Sequence, residues 1–170
     1  GIAGELRSAI TSVDRGRDGA VLLDAGGGNL AIHADSYGRG AGDYKIPSYP
    51  YLYPELPAPL VTNWQPNSAN RSNGASVGSS YVFDRGFIGV AVSTFDSLYR
   101  VPGQEATETK TRIDMRQTKI TSKGEFRPDS SGIEAVRFWL GSTDYRHVEI
   151  ADEGGFEGPQ QLFTSRQKEA

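Results

Sequence analysis

The chain has 170 residues, enough for one domain with a sizeable core. Its 21 glycines and 9 prolines, with 23% charged and 36% hydrophobic residues, disfavour a helical protein. The mean hydropathy is −0.48, and no apolar run approaches the roughly 18 residues of a transmembrane helix. This excludes helical membrane proteins, but not membrane β-barrels, whose strands alternate in polarity. A net charge of −3 argues against a nucleic-acid partner, and zero cysteines exclude disulfides and thiolate metal sites.

Eight strands are predicted along the chain. Helical periodicity is hard to find, whereas β-branched and aromatic residues alternate with small or polar ones in windows bounded by Gly, Pro, Asp and Asn. The predicted strands are Glu5–Val13, Ala20–Ala25, Leu30–Arg39, Ala75–Phe83, Phe87–Tyr99, Arg112–Phe126, Ala135–Ile150 and an incomplete strand from about Gln160 to the end.

The connections between these strands differ in length. Gly26–Gly28 and Asp84–Gly86 predict tight turns, whereas residues 43–74, 100–111 and 151–159 predict long loops. Tight turns that alternate with long loops are typical of an up-and-down transmembrane barrel. The predicted fold class is therefore all-β: an antiparallel, up-and-down transmembrane β-barrel segment of about eight strands.

The strand pattern predicts one apolar and one polar face. In the third strand, Leu30, Ile32 and Ala34 alternate with His33 and Asp35. The fifth and seventh strands alternate similarly, and the strands are longer than usual and carry long polar stripes. A large barrel with a wet lumen accommodates both observations.

Two further stretches have alternative readings. Tyr81, Phe83 and Phe87 flank the tight turn as an interfacial aromatic girdle would, although a soluble hairpin with packed aromatics fits them equally. Five prolines alternate with tyrosines in Ile46–Leu60, which favours a stiff external loop over a recognition surface.

Four segments carry a family resemblance. They read "GNLAIHADSYGRGAGDYKIP", "RSNGASVGSSYVFDRGFIGVAVSTFDSLYRVPG", "RIDMRQTKITSKGEF" and "EAVRFWLGSTDYRHVEI". In this order they resemble the early barrel strands of TonB-dependent outer-membrane receptors, and the branch with zinc-uptake receptors is the most similar. The similarity runs from about Gly19 to Ile150.

The resemblance implies a location, partners and a function. Such receptors have a plug domain inside a barrel of roughly 22 strands. They import metals, metal complexes or other scarce nutrients across the outer membrane of Gram-negative bacteria, with energy passed on by TonB. The implied partners are TonB, through a plug that this chain lacks, the lipid bilayer, and a small-molecule or metal substrate. No cofactor and no enzymatic activity are implied. Because neither plug nor closing strand is recognisable, we expect a barrel fragment that misfolds or aggregates when isolated.

The resemblance does not extend to zinc specificity. Receptors of the zinc branch tend to carry histidines in the loop that corresponds to 104–110, but this loop reads "QEATETK". His33 and His147, the two histidines of the chain, are predicted to face the lumen near Asp35 and Glu149. They are candidate metal ligands if a plug or loop bridges their strands, and otherwise solvated lumen residues. The side chains predicted to contact substrate in loops or lumen are Tyr44, Tyr49, Tyr51, Tyr53, Tyr99 and His147.

Other chemistries fit poorly. Gly74–Gly78 matches the Gly-x-Ser-x-Gly nucleophile elbow, but a polar loop leads into it and a strand follows, so we interpret it as a chance match. Two alternatives to the receptor remain. One is a complete eight-stranded outer-membrane barrel with a structural or adhesive role. The other is a soluble secreted β-sheet module that binds a ligand through Trp64, Trp139 and the tyrosines.

Overall fold

The described part of the chain forms a single antiparallel sheet. The computed structural model describes residues 1–48, 62–103, 109–129, 132–153 and 156–170. Eight strands follow each other in chain order, and each pairs with the next. They are β1 (Ile2–Ile10), β2 (Arg17–Gly27), β3 (Leu30–Ala41), β4 (Asn70–Phe83), β5 (Gly86–Arg100), β6 (Arg112–Phe126), β7 (Val136–Glu153) and β8 (Phe156–Glu169). The predicted all-β, up-and-down arrangement of eight antiparallel strands is confirmed.

The described strands do not close on themselves. β1 pairs with β2 alone and β8 with β7 alone, so the sheet has two edges. The described strands therefore do not form the complete eight-stranded barrel that the sequence left as an alternative.

No described segment forms a helix with the length and apolar character that a membrane crossing needs.

Several strands are longer than predicted. β4 begins at Asn70, five residues before the predicted start at Ala75. β7 reaches Glu153 and β8 begins at Phe156, so the strands extend through most of the predicted loop 151–159. A bulge between Ile150 and Asp152 interrupts this pairing. These segments have no apolar alternation, so the sequence pattern did not predict them as strands. Backbone pairing with neighbouring strands, rather than side-chain burial, places them in the sheet.

Both connections that were predicted as tight turns are two residues long, but Gly26, Gly27 and Gly86 belong to strands rather than to the turns. Gly28 and Asn29 join β2 to β3, and Gly28 has a φ of 56°, a conformation that costs glycine little. Asp84 and Arg85 join β4 to β5. These two turns lie at the same ends of the strands, which we call the turn end of the sheet. The opposite ends of the strands form the loop end.

The sheet has two faces of different character. Leu30, Ile32 and Ala34 lie on the same face as Ile88, Val90 and Val92, as the register across β4 shows. Val136, Phe138 and Leu140 share this face through β6, which confirms the predicted alternation. We call it the band face. His33, Asp35, Lys119, Lys123, Tyr145 and His147 lie on the opposite face, which we call the polar face.

Apolar residues on the band face are concentrated at the turn end, although one row near the loop end also contains Ile10, Leu98, Val148 and Leu162. One continuous row across β1 to β7 consists of Ile2, Ala25, Ile32, Ser79, Val90, Ser122 and Leu140. Val77, Val92 and Ile120 continue the band one row closer to the loop end. Beyond them the same strands carry charged side chains such as Asp96 and Arg116.

The predicted aromatic girdle is divided between the faces. Tyr81 and Phe83 lie on the band face with ring centroids 6.4 Å apart. Phe87 lies on the polar face, because its register partner is Val82. The three rings therefore do not form one group.

Three loops pack together at the loop end. Gly42 N donates to Asp14 O at 2.8 Å, and Lys45 N donates to Val13 O at 2.7 Å. Residues 42–48 also pair with residues 62–69 through backbone hydrogen bonds and the Lys45–Trp64 bridge. We call residues 11–16, 42–48 and 62–69 the loop cluster. The Nδ2 amide of Asn67 ties this cluster to the β5–β6 connection, because it donates to Val101 O at 2.8 Å and to Thr111 O at 2.9 Å.

Candidate functional site

A histidine held between two carboxylates lies in the middle of the polar face. His33 Nδ1 lies 2.7 Å from an Asp24 carboxylate oxygen, and Nε2 lies 3.2 Å from Asp35 Oδ2. The Ser76 hydroxyl donates to the same Asp35 oxygen. The two-residue turn at Gly28 and Asn29 fixes this geometry, because it places Asp24 opposite His33 in the sheet. In its protonated form, the imidazole donates to both carboxylates.

Small residues form a groove beside this histidine. Gly78 and Ala91 pair across β4 and β5, and a Cβ added at Gly78 would lie 3.0 Å from the Ala91 Cβ. The resulting groove has a volume of about 400 Å³. Asp24 and His33 line one side, and Lys123 and Trp139 line the other. The groove therefore has an acidic wall with its histidine on β2 and β3 and a basic, aromatic wall on β6 and β7.

Closer to the loop end, the polar face carries aromatic rings. Tyr37 extends over Gly74, where an added Cβ would lie 2.7 Å from the Tyr37 ring, and stacks on Phe95 at 6.5 Å. Position 74 therefore needs a glycine, because the Tyr37 ring occupies the space of a side chain there. The sheet register places Gln117 and Tyr145 in the same row.

A second aromatic group surrounds His147 on β7. The Tyr145 hydroxyl lies 2.9 Å from His147 Nδ1, and the His147 ring stacks on Phe163 at 4.5 Å. Glu149 lies 3.6 Å from His147 Nε2. Together with Tyr37 and Phe95, these rings give the loop end of the polar face stacking surfaces and hydrogen-bonding groups, which is chemistry suited to an amphipathic ligand.

The structure separates the two candidate metal ligands. His33 lies on β3 and His147 on β7, with three strands between them. Each has the carboxylate that the sequence predicted, Asp35 or Glu149, on the same face. Within the described ranges, no group of three or more His, Cys, Asp or Glu side chains is arranged to hold a metal ion. The two histidines thus belong to different parts of the polar face and share no site.

The predicted tyrosines have different locations. Tyr99 lies at the loop end of the polar face, opposite Asn70 and Ile113. Tyr44 lies in the loop cluster with its side chain exposed, and its backbone bonds to Gln65 and Ser68. Tyr49, Tyr51 and Tyr53 lie outside the described residues, as does most of the loop 104–110.

Sequence reasoning missed several residues of these sites. Asp24 could have been found, since a two-residue turn at 28–29 determines that residue 24 opposes residue 33. Tyr145 and Phe163 flank His147 only through the β7–β8 register. Asn67 bonds to residues more than thirty positions away, which no local pattern predicts.

No known protein-family model matches the sequence.

Proposed function

We propose that this chain forms an arc of the barrel wall of an outer-membrane receptor of the TonB-dependent type, which imports a metal, a metal complex or another scarce nutrient. In this proposal the band face contacts lipid and the polar face lines the lumen. The observation that carries it is the sorting of side chains between the faces. Val77, Ile88 and Val90 expose 50–55% of their surface on the band face, while at the same height on the polar face Asp24 pairs with His33 and Glu125 pairs with Arg137.

The height of the band supports a membrane location. In β5, the apolar alternation runs from Gly86 to Thr94, which is about nine residues, and a tilted strand crosses a bilayer in roughly 9–11 residues. β5 itself continues to Arg100, and its further part carries Asp96. Strands that outlast the hydrocarbon layer on one side fit a receptor wall with long external connections.

The two edges of the sheet indicate a larger wall. Unpaired strand edges in hydrocarbon leave backbone groups without hydrogen bonds, at a cost of several kcal/mol per group. β1 and β8 each pair on one side alone among the described strands. We therefore propose that further strands continue the wall on both sides.

In this arrangement, substrate entering from the loop end would first meet Tyr99, Tyr37 and the rings around His147. It would then pass the groove beside His33. The substrate would be released inward when TonB acts on a plug domain within the barrel. The groove contributes charge of both signs, whereas the rings contribute stacking surfaces.

Single cysteines test the orientation of the faces directly, because the natural chain has none. Cysteines at Ile88, Val90 and Val92 are expected to react with a lipid-soluble maleimide but not with a charged one in intact outer membranes. Cysteines at the intervening Gly89, Ala91 and Ser93 are expected to react with the charged reagent. Equal labelling of both sets in plain buffer, with a monodisperse protein, would instead favour the soluble ligand-binding module.

Uptake is tested in a strain that lacks the gene. Growth on limiting iron, zinc or other metal sources is expected to fail for at least one source and to recover with the natural gene. Recovery should require TonB. Unchanged growth and accumulation on every source would contradict the transport proposal while leaving the orientation test unaffected.

A further inference from the structure

The loop-end part of the band face has an excess of basic residues. It begins where the apolar band ends, on β4 to β8, and we call it the outer zone. Its arginines outnumber its aspartates, although the whole chain has a net charge of −3. The charged members are Arg71, Asp96, Arg100, Arg112, Asp114, Arg116, Asp144, Arg146 and Arg166.

Two ion pairs lie within the outer zone. Arg116 Nε lies 2.7 Å from Asp96 Oδ1, and Arg166 Nη2 lies 2.8 Å from Asp144 Oδ2. Both arginines are well exposed, at 62% and 72% of their side-chain surface. Their outer N–H groups thus remain accessible to a further anion.

Arginines also oppose each other directly in the register. Arg116 is the partner of Arg146 across β6 and β7, and Arg100 is the partner of Arg112 across β5 and β6. Like charges directly opposite each other on one face destabilise a sheet unless an anion lies between them. Within the described part of the chain, Arg146 is exposed and forms no ion pair. The Arg116–Arg146 pair therefore offers two guanidinium groups to a single anionic ligand.

A groove lies beside the first of these pairs. It has a volume of about 380 Å³ and is lined by Arg71, Asn73, Asp96, Asp114 and Arg116. Two guanidinium groups and an amide are suitable donors for phosphate oxygens, because the arginine fork binds phosphate in a bidentate manner. Asp96 holds Arg116 in place through its Nε, and the other donors of the guanidinium are not used by this bond.

We propose that the outer zone binds the phosphorylated headgroup of a membrane lipid whose acyl chains lie against the apolar band. This inference rests on the proposed membrane location of the band face. Continuity favours a lipid over a soluble anion, since Arg116 and Ile120 lie on the same face of β6, about 13 Å apart along the strand. One molecule with phosphate and hydrocarbon can thus contact both. Basic clusters next to a hydrocarbon layer attract anionic headgroups electrostatically.

Arg146→Gln is the decisive variant. It removes one arginine of the opposed pair but breaks no ion pair, so the protein should be equally stable or more stable in neutral detergent. Its affinity for a bisphosphorylated lipid, lipid A, measured by native mass spectrometry on the outer-membrane protein, should fall about tenfold or more.

Arg146→Lys should retain more of the affinity than Arg146→Gln, since it keeps the charge. Lys119→Gln is the matched control, with the same charge change on the polar face of the neighbouring strand, and should bind lipid A as the natural protein does.

The outcomes separate this inference from the proposed function. Dephosphorylated lipid A should bind the natural protein and Arg146→Gln equally. Equal binding of phosphorylated lipid A by both proteins, with the cysteine labelling as expected, would overturn the headgroup site alone. Inorganic phosphate that binds as tightly as lipid A would also overturn it, because the acyl chains would then contribute nothing. Failure of the labelling experiment would overturn the membrane location and, with it, this inference.

Discussion

The loop cluster and the sheet differ in how they enclose their side chains. Among the described residues, the buried polar side chains are Asp14, Gln65, Asn67 and Ser68, and all of them lie in the loop cluster. In the sheet, by contrast, Val90 exposes 50% of its surface and Val77 exposes 55%. No described side chain is fully buried. In the described part of the chain, the usual relation between core strands and exposed loops is thus reversed.

This difference shows where each region finds its partners. The loop cluster pairs many of its polar groups within its own loops: the Asp43 carboxylate, for example, accepts from Ser68 N at 2.8 Å and from Ala69 N at 2.9 Å. The sheet has backbone pairing, but the described residues form no packed layer on either of its faces. An antiparallel sheet of this length needs a covering for its apolar side. The sheet therefore depends on material outside the described residues, while the loop cluster carries its own contacts.

A charge in the apolar band should have the largest effect. If the band face contacts lipid as proposed, Val90→Lys is expected to destabilise the protein by about 2–4 kcal/mol, because an ammonium group at mid-band depth loses its hydration. Refolding into lipid vesicles with urea titration measures the change. The control is Ala91→Lys, one residue along on the polar face, where the cost should be much smaller. Equal costs at both positions would show that the two faces have the same environment.

Removal of the Asn67 amide should have the next largest effect, confined to the loop cluster. Asn67→Ala removes the side-chain donor of the Val101 and Thr111 carbonyls and leaves Thr111 O with the Val101 N–H alone, which should cost about 2 kcal/mol of local opening free energy. Asn67→Asp should cost more, since it places a carboxylate against two carbonyl oxygens. Hydrogen exchange at the Val101 and Gln65 amides measures the opening, because both donate within this region.

Two comparisons check the origin of that effect. Asn67 has a φ of 57°, so Asn67→Gly removes the amide but relieves the backbone, and should cost less than Asn67→Ala. Asn73→Ala changes an exposed asparagine of β4 and should leave the exchange rates unaffected. Rates that stay the same in Asn67→Ala would mean that the loops do not depend on this side chain.

The sequence predicted the sheet better than the loop cluster, for a physical reason. Side chains alternate along a strand with period two, so the positions of Ile88, Val90 and Val92 show the face without any tertiary information. Pattern reasoning was wrong about Asn70–Gly74 and the predicted loop 151–159, where backbone pairing alone holds the strands. The neighbours of His33 were half predictable: Asp35 lies two positions away, whereas Asp24 depends on the register. Asn67 depends on three loops that meet in space, and a local pattern contains no such information.

The loop cluster should also respond to acid in a defined direction. The Thr11 hydroxyl, which donates to Asp14, is the main cause that lowers the pKa of Asp14 below its ordinary value of 3.8, and the Gly16 amide and Arg39 add to it. A carboxyl with a lowered pKa stabilises the folded state above its ordinary pKa and loses that contribution as the pH falls through its folded pKa. The cluster should therefore persist from neutral pH to about pH 4 and open below it.

Trp64 fluorescence reports this transition in a background in which Trp139, the second tryptophan of these 170 residues, and every tryptophan outside them are replaced by Phe. Asp14→Asn should weaken the cluster at neutral pH and remove its part of the acid transition. Asp84→Asn, in the exposed turn between β4 and β5, should leave the transition unchanged. A transition centred well above pH 4 would contradict the assigned role of Asp14.

The smallest effect is expected at Arg15, whose guanidinium carbon lies 4.7 Å from the centre of the Trp64 ring. Arg15→Ala removes this cation–π contact and should cost about 0.5–1 kcal/mol of cluster stability. Arg15 also has a φ of 55°, a conformation that costs a non-glycine residue about 1–2 kcal/mol. Arg15→Gly loses the same contact but not this strain, so its stability should equal or exceed that of Arg15→Ala. Denaturant titration of Trp64 fluorescence measures both variants. Equal losses of stability in both variants would mean that the positive φ of Arg15 adds no strain. Unchanged stability in both would mean that the Arg15 contact is not needed and that the Lys45 ammonium, 5.5 Å from the centre of the same ring, is sufficient.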